Sequence, residues 1–317
     1  MNQIPWDAAV IGGGSAGLSA ALMLGRARRR VVVIDGGSPR NRFAAHMHAV
    51  LGHDGKPPAE LLADGRREVE SYGGKIMNTA ARLTRREGDG FAVETTDGEV
   101  VRARKLLVAT GARDELPELD GLTEQWGRGV AVCPYCDGYE VRDQRIGILA
   151  TGPGSEFQAQ LLRQWSSSIT YLADAVGGPE GETRSAFDAR GIRVEEGPVR
   201  RVLSRDNRVV GVEMADGRTV ALDAIFTIPR LVPLDEPLRQ LGAERTEHPW
   251  GSFATVDGNG QTSIDGVWAA GNVVNAMANV AISIGAGALA AGSINHALIL
   301  DDIRLATTAA LSPIQHP

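Results

Sequence analysis

The 317-residue sequence predicts an α/β protein of two Rossmann-like, three-layer domains, with the second inserted into the first. The first observation is a strand, glycine turn, helix and strand near the N-terminus, which together predict a parallel sheet. The second is a weaker copy of this pattern near the middle of the chain. The third is a hairpin signal after each copy. The chain therefore contains an internal repeat.

The first copy reads WDAAVIGGGSAGLSAALMLGRARRRVVVIDGG from Trp6 onward. The AAVI segment is typical of a buried strand, the small residues from Ala16 to Leu24 favour a helix, and VVVID is a strongly β-branched second strand. A glycine-rich turn separates the first strand from the helix. This order is typical of a βαβ unit of the FAD- or NAD(P)-binding type.

The second copy reads RIGILATGPGSEFQAQLLRQWSSSITYLADA from Arg145 onward. Here IGIL is the expected first strand, Glu156 to Trp165 the helix and ITYLA the second strand. An Asp-Gly pair follows each copy, at positions 97–98 and 216–217, and predicts a tight hairpin at both places.

The residues after Arg230 give one further strand, a glycine turn and a long helix of small residues. They are too few for a third domain, so they are expected to complete the first. The predicted first domain is therefore split over residues 1–112 and 232–317. Residues 113–231 form the inserted domain, which carries the second copy of the βαβ pattern.

Composition and charge exclude several classes of partner. The net charge is −6 and the chain has no clustered basic face, which argues against a nucleic-acid partner. No apolar run approaches the roughly 18 residues of a membrane span, and the N-terminus lacks the pattern of a signal peptide. Two cysteines without a signal indicate a reducing cytoplasm, where a disulfide is more often catalytic than structural.

The glycine turn of the first copy has the spacing of a dinucleotide site. Gly12 allows the tight turn, Gly14 lets the backbone approach a pyrophosphate, and Gly17 lets helix and strand pack closely. The helix N-terminus offers N–H groups to phosphates, and an acid at the end of the next strand can accept hydrogen bonds from ribose. The candidate ligands are Gly12, Gly14, Ser15, Ala16, Gly17 and Asp35.

The chain has only two cysteines, Cys133 and Cys136, in the segment AVCPYCDGYE. They supply two of the four ligands of a zinc site, and no histidine pair lies at finger spacing, so no metal is expected. A redox disulfide and an idle buried pair remain. The C-x-x-C spacing lowers thiol pKa values and favours the redox disulfide, and Pro134 stiffens the loop between the sulfurs.

Four segments together resemble the thioredoxin reductases of the low-molecular-weight type. In chain order they are GGGSAG, LLVATGAR (106–113), CPYCDGYE (133–140) and GVWAAGNV (266–273). The resemblance covers nearly the whole chain. It implies FAD in the first domain, a redox disulfide in the second, and a homodimer.

The same resemblance implies roles for the residues of the redox segment. Cys133 would exchange with the substrate, and Cys136 would face the flavin ring and pass electrons to it. Asp137 matches the acid that shuttles the proton in this family. The alternative for Asp137 is an Asx turn into Gly138.

Further FAD ligands follow from the resemblance. Asn272 would lie near the ribityl chain, where the family usually has Asp, and the helix starting at Val280 and Ala281 would face the pyrimidine end of the flavin. The loop Ser38–His48 either lines the cofactor or is a solvated loop. The remaining candidates, from this loop and the two glycine turns, are Arg40, Asn41, His48, Gly111 and Gly271.

The second copy departs from the dinucleotide pattern. Ala150, Gly152 and Ser155 stand where the first copy has its three glycines, so two glycines are lost. Pro153 removes an N–H group from the turn, and Ala173 replaces the acid. The family's NADP-binding members carry a His-Arg-Arg run where this chain has an Ala-Asp-Ala segment ending at 175. The sequence therefore predicts weak binding of NADPH or none.

A flavin and a disulfide without a nicotinamide site resemble the dithiol oxidases of disulfide natural-product pathways, such as those acting on holomycin and gliotoxin precursors. The resemblance implies that a small-molecule dithiol is oxidised and that dioxygen takes the electrons, giving hydrogen peroxide. One alternative is a thioredoxin reductase that uses ferredoxin or another donor. The other is a flavin-bound redox sensor or binding module without catalytic activity.

Overall fold

The computed structural model describes residues 5–152, 154–248 and 250–311. It divides the chain into two compact units. The first unit comprises Met1–Arg40, Ala59–Arg113 and Val232–Pro317, and the second comprises Asn41–Pro58 and Asp114–Leu231. The division differs from the sequence-based one in a single segment. Residues 41–58, expected in the first domain, make most of their contacts with the second unit.

The elements are numbered in chain order. The strands are β1 Trp6–Ile11, β2 Val31–Ile34, β3 Lys75–Met77, β4 Ala81–Glu87, β5 Gly90–Thr95, β6 Val100–Val108, β7 Ala112–Glu115, β8 Val130–Ala131, β9 Ile146–Leu149, β10 Ile169–Leu172, β11 Arg193–Glu195, β12 Val199–Arg205, β13 Arg208–Met214, β14 Thr219–Ala221, β15 Ala224–Thr227, β16 Arg230–Pro233, β17 Arg245–His248, β18 Gly251–Ala254 and β19 Val267–Ala269. The helices are α1 Ser15–Arg26, α2 Pro58–Ser71, α3 Leu122–Gln125, α4 Pro134–Asp137, α5 Ser155–Leu162, α6 Gly181–Ala189, α7 Glu236–Gln240 and α8 Val280–Leu311, with a 3₁₀ helix at Gly271–Val273.

The first unit is built on a sheet in the order β3-β2-β1-β6-β5-β4, with β19 also paired to β6. Strands β3, β2, β1, β6 and β19 are parallel, whereas β4, β5 and β6 form an antiparallel meander. All four residues of β2 are buried, as expected of a β-branched strand covered on both faces. The predicted hairpin at positions 97–98 connects β5 to β6 and is confirmed.

The second unit has a five-stranded parallel sheet in the order β11-β10-β9-β15-β8 and a three-stranded antiparallel sheet β12-β13-β14. The predicted strands IGIL and ITYLA are β9 and β10 and pair in parallel, and the predicted hairpin at positions 216–217 connects β13 to β14. The predicted helix of this copy is shorter than expected and ends at Leu162. Strands β7 and β16 connect the units and pair with each other. The fold is therefore of the predicted class.

Helix α8 packs along α1 in the first unit. Both helices are rich in small residues, and at Gly287 a Cβ would overlap the carbonyl of Ala16, so glycine is needed for the close approach. Contrary to the sequence-based expectation, this 32-residue helix is long and apolar enough by length and composition to cross a membrane. It buries Ala290, Ala291 and Ile294 in the core of the unit, which is the behaviour of a core helix.

Candidate active site

The glycine turn after β1 is shaped by two close approaches. Gly12 has φ +108°, and a Cβ there would overlap the carbonyl group of Ala109. A Cβ at Gly17 would overlap the carbonyl oxygen of Gly12, so helix and turn pack too closely for any other residue. At Gly14, by contrast, a Cβ would meet no protein atom within 4 Å. The turn therefore leaves open space at the position expected to face a pyrophosphate, directly before the N-terminus of α1.

The acid at the end of β2 is oriented by two neighbours. The Asp35 Oδ1 atom accepts the N–H of Gly37 at 3.1 Å. The other oxygen pairs with Arg66 of α2, which also donates to the Asn78 side chain at 3.1 Å. Arg66 was not found from the sequence, because no motif spacing connects α2 to this strand. The pair holds the carboxylate in place beside the turn, where a Cβ at Gly13 would come within 2.6 Å of Oδ2.

A second glycine turn lies against the first within the same unit. Gly271 has φ +82°, and a Cβ there would come within 3.2 Å of the Cβ of Ala16. Next to it, the Asn272 amide donates to the carbonyls of Asn275 and Ala278 at 3.0 and 2.9 Å. Its oxygen accepts from Arg40 at 3.4 Å. The family's usual aspartate could not make the two donations, because a carboxylate repels carbonyl oxygens.

The remaining predicted cofactor residues fall in different places. Gly111 has φ +72° and its carbonyl accepts the N–H of Leu234 at 2.9 Å. Val280 and Ala281 open α8, where Asn279 caps the N–H of Ile282 at 2.9 Å. These positions belong to the first unit. Asn41 and His48 belong to the second unit.

The corresponding turn of the second unit is occupied by its own polar atoms. Ser155 is fully buried, and its hydroxyl accepts the N–H of Thr151 at 3.2 Å. The Thr151 hydroxyl in turn donates to the carbonyl of Ile228 at 2.7 Å, and the N–H of Ser155 donates to Gly152 at 3.2 Å. Pro153 lies outside the described residues. Ser155, which replaces the third glycine, is therefore bound to Thr151, whereas a Cβ at Gly152 would meet no protein atom within 4 Å.

The end of β10 is closed in a similar way. Ala173 is fully buried and offers no acceptor for a ribose. Asp174, expected from the sequence to repel a 2′-phosphate, adopts φ +45° and accepts the N–H of Val199 at 2.8 Å. Its carboxylate therefore has a structural role that joins β10 to β12. The sequence had not indicated this role.

The two cysteines form a disulfide at the start of α4, with Cα atoms 5.2 Å apart. Cys133 is the N-cap and Pro134 occupies the first turn, a position where its missing N–H costs nothing. The Cys133 carbonyl accepts the N–H groups of Cys136 and Asp137 at 3.0 and 3.1 Å. Both cysteines are partly accessible. The pair is therefore neither idle in a core nor a metal half-site.

Asp137 follows the disulfide and has a perturbed carboxyl group. Burial raises the pKa of Asp137 from its usual 3.8 to about 6; the charge of Glu140 also raises it, and His48 opposes the rise. The His48 Nε2 atom lies 3.5 Å from the Glu140 Oε1 atom, and its Nδ1 atom lies 3.5 Å from Asp54 Oδ1. A carboxyl group that titrates near pH 6 can both accept and return a proton at neutral pH.

Neither Glu140 nor Asp54 was singled out from the sequence. Glu140 ends the segment CPYCDGYE, but its partner His48 is distant in the chain. Within the described ranges, no group of three or more His, Cys, Asp or Glu side chains is placed to hold a metal ion.

The sequence pattern of the pyridine nucleotide-disulphide oxidoreductase family matches residues 6–287. The chain belongs to this family. Family membership makes the protein an oxidoreductase that acts on sulfur groups, with FAD as its cofactor. The alternative of a binding module without catalytic activity is thereby set aside.

Relatives support the same assignment. The chain is 31% identical over 308 residues to thioredoxin reductase tcpT of Claviceps purpurea, covering 93% of this chain and 95% of that protein. It is 30% identical to thioredoxin reductase sirT of Leptosphaeria maculans, covering 92% and 93%. The crystal structure of HlmI superposes with a TM-score of 0.92 and 43% identity, covering 96% of both chains. An oxidoreductase from Agrobacterium tumefaciens gives a TM-score of 0.87 with 37% identity, covering 94% and 99%.

Proposed function

We propose that the protein is an FAD-dependent dithiol oxidase that converts a small-molecule dithiol to a disulfide and delivers the electrons to dioxygen, giving hydrogen peroxide. One observation carries the proposal. The second unit combines a closed disulfide with a dinucleotide turn that lacks two of the three glycines and is followed by the buried Ala173 in place of the acid. A reductase of the ordinary kind needs that turn for NADPH, whereas an oxidase does not.

The features that the second unit lacks would weaken the binding of NADPH substantially. A hydrogen bond to a charged group contributes about 1.5–3 kcal/mol, and the chain lacks the two arginines that hold the 2′-phosphate in NADP-binding members. Their loss alone corresponds to roughly 10²–10⁴ in affinity. The buried Ala173 in addition offers no acceptor to a ribose hydroxyl. These costs favour a different source of electrons, and the dithiol itself is that source.

The residues of the first unit fit FAD. The turn at Gly14 has room for a pyrophosphate at the start of α1, and Asp35 presents an acceptor suited to a ribose hydroxyl. We assign to the cofactor Gly12, Gly14, Ser15, Ala16, Gly17, Asp35, Arg40, Gly111, Gly271, Asn272, Val280 and Ala281. When bound, FAD supplies a two-electron acceptor for the reduced cysteine pair.

The exchange itself uses the second unit. A substrate thiolate attacks the Cys133 sulfur, the Cys133–Cys136 bond breaks, and Cys136 leaves as a thiolate. The second substrate sulfur then attacks the first, forms the product disulfide and releases Cys133. Two S–H bonds of the substrate are lost, so protons must reach nearby bases, and Asp137 is suited to accept one at neutral pH.

Several features remain parts of this proposal. The relatives called thioredoxin reductases support thiol–disulfide exchange, and the resemblance to dithiol oxidases supports the small substrate and dioxygen. The cytoplasm and the homodimer are proposed on the same resemblance.

The decisive experiment follows flavin absorbance of the purified holoprotein under nitrogen. A small dithiol such as dithiothreitol should bleach the flavin quickly, whereas NADPH at millimolar concentration should bleach it at least roughly 100-fold more slowly, given the affinity loss above. Air should then restore the colour with formation of hydrogen peroxide. Fast bleaching by micromolar NADPH would overturn the oxidase proposal.

The second candidate is a thioredoxin reductase with a donor other than NADPH. The names of the curated relatives favour it. Reduced ferredoxin is added to the same anaerobic experiment, with thioredoxin as acceptor. Bleaching by ferredoxin together with reduction of thioredoxin would establish this candidate instead.

The order of the two sulfurs can be tested separately. Cys136→Ser should abolish flavin reduction by dithiols, because the sulfur that passes on electrons is gone. Cys133→Ser should leave a thiolate at Cys136 and a long-wavelength charge-transfer band. A band in Cys136→Ser but not in Cys133→Ser would reverse the assignment.

A further inference from the structure

Residues 46–56 form a compact loop that the sequence did not predict. Met47 exchanges backbone hydrogen bonds with Gly55 and Lys56 at 2.9 and 3.0 Å, so the two ends of the loop are joined like the strands of a hairpin. Between them, Ala49 adopts φ +60° and its N–H donates to the Asp54 carboxylate at 2.9 Å. The loop therefore fixes the position of Asp54 from within.

This loop presents the His48 imidazole between two carboxylates. Its two ring nitrogens lie at ion-pair distance from Asp54 and Glu140, as described above. Three groups are exposed to different degrees: the His48 side chain to 25%, Glu140 to 43% and Asp54 to 71%. The cluster thus extends from the partly buried Asp137, next to the disulfide, to the solvent-exposed carboxylate of Asp54.

The proposed exchange requires such a route. Each dithiol loses two protons, while the electron pair passes to the Cys133–Cys136 bond. Asp137 holds only one proton and must release it before the next turnover. Its carboxyl group is largely buried, and burial is the main cause of its raised pKa.

We propose that His48 is a proton-relay residue, which takes the proton from Asp137 and passes it to solvent along Asp54. The inference rests on the proposed exchange between a dithiol and the cysteine pair, but not on dioxygen as acceptor. The sequence-based expectation of His48 as an FAD ligand is a separate prediction; within the second unit, His48 lies with Glu140 of the redox segment.

The charges around the relay give opposite signs for two substitutions. The groups placed against His48 are Asp54 from its own loop and Glu140 and Asp137 from the redox segment. Because His48 lowers the pKa of Asp137, His48→Asn should raise that pKa further. Because Glu140 raises the pKa of Asp137, Glu140→Gln should lower it. A role limited to holding the loop would not produce this pair of opposite shifts.

The first measurement is the rate of anaerobic flavin bleaching by dithiothreitol from about pH 5 to about 9, the range over which imidazoles titrate. His48→Asn should slow bleaching by about 10- to 100-fold, at or below the lower end of general acid–base effects. The pH at which the bleaching rate increases should also be higher than in the wild type. The matched control is His46→Asn. His46 lies in the same loop, but it bonds the Gly55 carbonyl at 2.9 Å and should leave rate and profile unchanged.

The second measurement needs no turnover. The infrared band of protonated Asp137, identified by its loss in Asp137→Asn, reports its titration in the oxidised holoprotein. His48→Asn should move this titration upward and Glu140→Gln downward. If His48→Asn does not retain FAD, Asp54→Asn serves instead. It keeps an acceptor for the Ala49 N–H and removes the carboxylate at the solvent end of the relay, so dithiothreitol should bleach the flavin more slowly than in the wild type.

An unchanged pH profile and titration in His48→Asn would overturn the relay, as would the same change in His46→Asn. These results are separate from the fate of the proposed function. If NADPH bleached the wild-type flavin rapidly, the oxidase would be wrong, while the infrared titration would still decide whether His48 and Asp137 are coupled.

Discussion

The turn after β1 and the turn after β9 begin from the same strand–turn–helix plan and present different surfaces. In the first unit, glycine at position 17 lets α1 pack against the turn, and the space at Gly14 stays open. In the second, Ser155 takes the place of Gly17, and its buried hydroxyl closes the turn through Thr151. The difference shows how one substitution at the third glycine changes the hydrogen bonds of the turn. In the second turn the N–H of Thr151 is satisfied by a protein side chain.

The two acids at the ends of the following strands differ in the same way. Asp35 lies beside Gly13 of its turn and is held there by Arg66 and by the N–H of Gly37. Asp174 lies one position beyond the corresponding site and binds the N–H of Val199 instead. In the first unit the acid stays available to a ligand, whereas in the second it connects two parts of the sheet structure. This contrast supports FAD in one unit and no nicotinamide in the other.

The largest expected effect tests the open turn. Gly17→Ala places a Cβ onto the carbonyl oxygen of Gly12, in a region that cannot relax without moving the turn. Overpacking of this kind costs about 1–3 kcal/mol, or more where backbone must shift, so FAD affinity should fall by roughly 100-fold. Flavin content after purification and FAD titration of the apoprotein measure the loss.

The control is Gly292→Ala in α8, where a Cβ would make an ordinary contact of 3.6 Å with Met23. This change should leave FAD binding as in the wild type and stabilise the helix by roughly 1 kcal/mol. Equal flavin content in both variants would mean that the turn does not set cofactor affinity.

The sequence was sufficient where a function depends on local spacing. The roles of Gly12 and Gly17 follow from the turn between β1 and α1, and both hairpins follow from an Asp-Gly pair. It was insufficient where function depends on contacts between distant segments. No pattern connects Arg66 to Asp35, or the loop of His48 to Glu140, because such pairs depend on tertiary packing. For the same reason the sequence placed residues 41–58 in the first domain.

The next effect concerns the disulfide unit. Because the pKa of Asp137 is raised from 3.8 to about 6, the folded protein binds more protons than the unfolded chain between these pH values. Stability therefore falls as pH rises through this interval, and the ionised carboxylate costs up to about 3 kcal/mol at neutral pH. Asp137→Asn should raise the free energy of unfolding by up to that amount near pH 7 and change it little near pH 4.

Urea unfolding of the oxidised holoprotein at the two pH values measures this effect. The exposed Asp143 of the same unit gives the control, since Asp143→Asn should change stability little at either pH. A gain of the same size at both pH values would show that the effect of Asp137 is not ionisation. The variant should also lose most dithiol-driven bleaching, so the carboxylate lowers stability while it serves catalysis.

The smallest expected effect tests the closed turn. Ser155→Ala keeps the Cβ but removes the fully buried hydroxyl that accepts the N–H of the partly buried Thr151, leaving that donor without this partner. Such a loss costs on the order of 1 kcal/mol, which urea unfolding can resolve. Because the closed turn is proposed to bind no nucleotide, the variant should keep its FAD, its rate with dithiothreitol and its slow response to NADPH. The proposal would be contradicted if Ser155→Ala left the free energy of unfolding unchanged and raised the KM for the dithiol. That result would mean that the second turn binds a polar ligand, so that both turns bind ligands of different kinds.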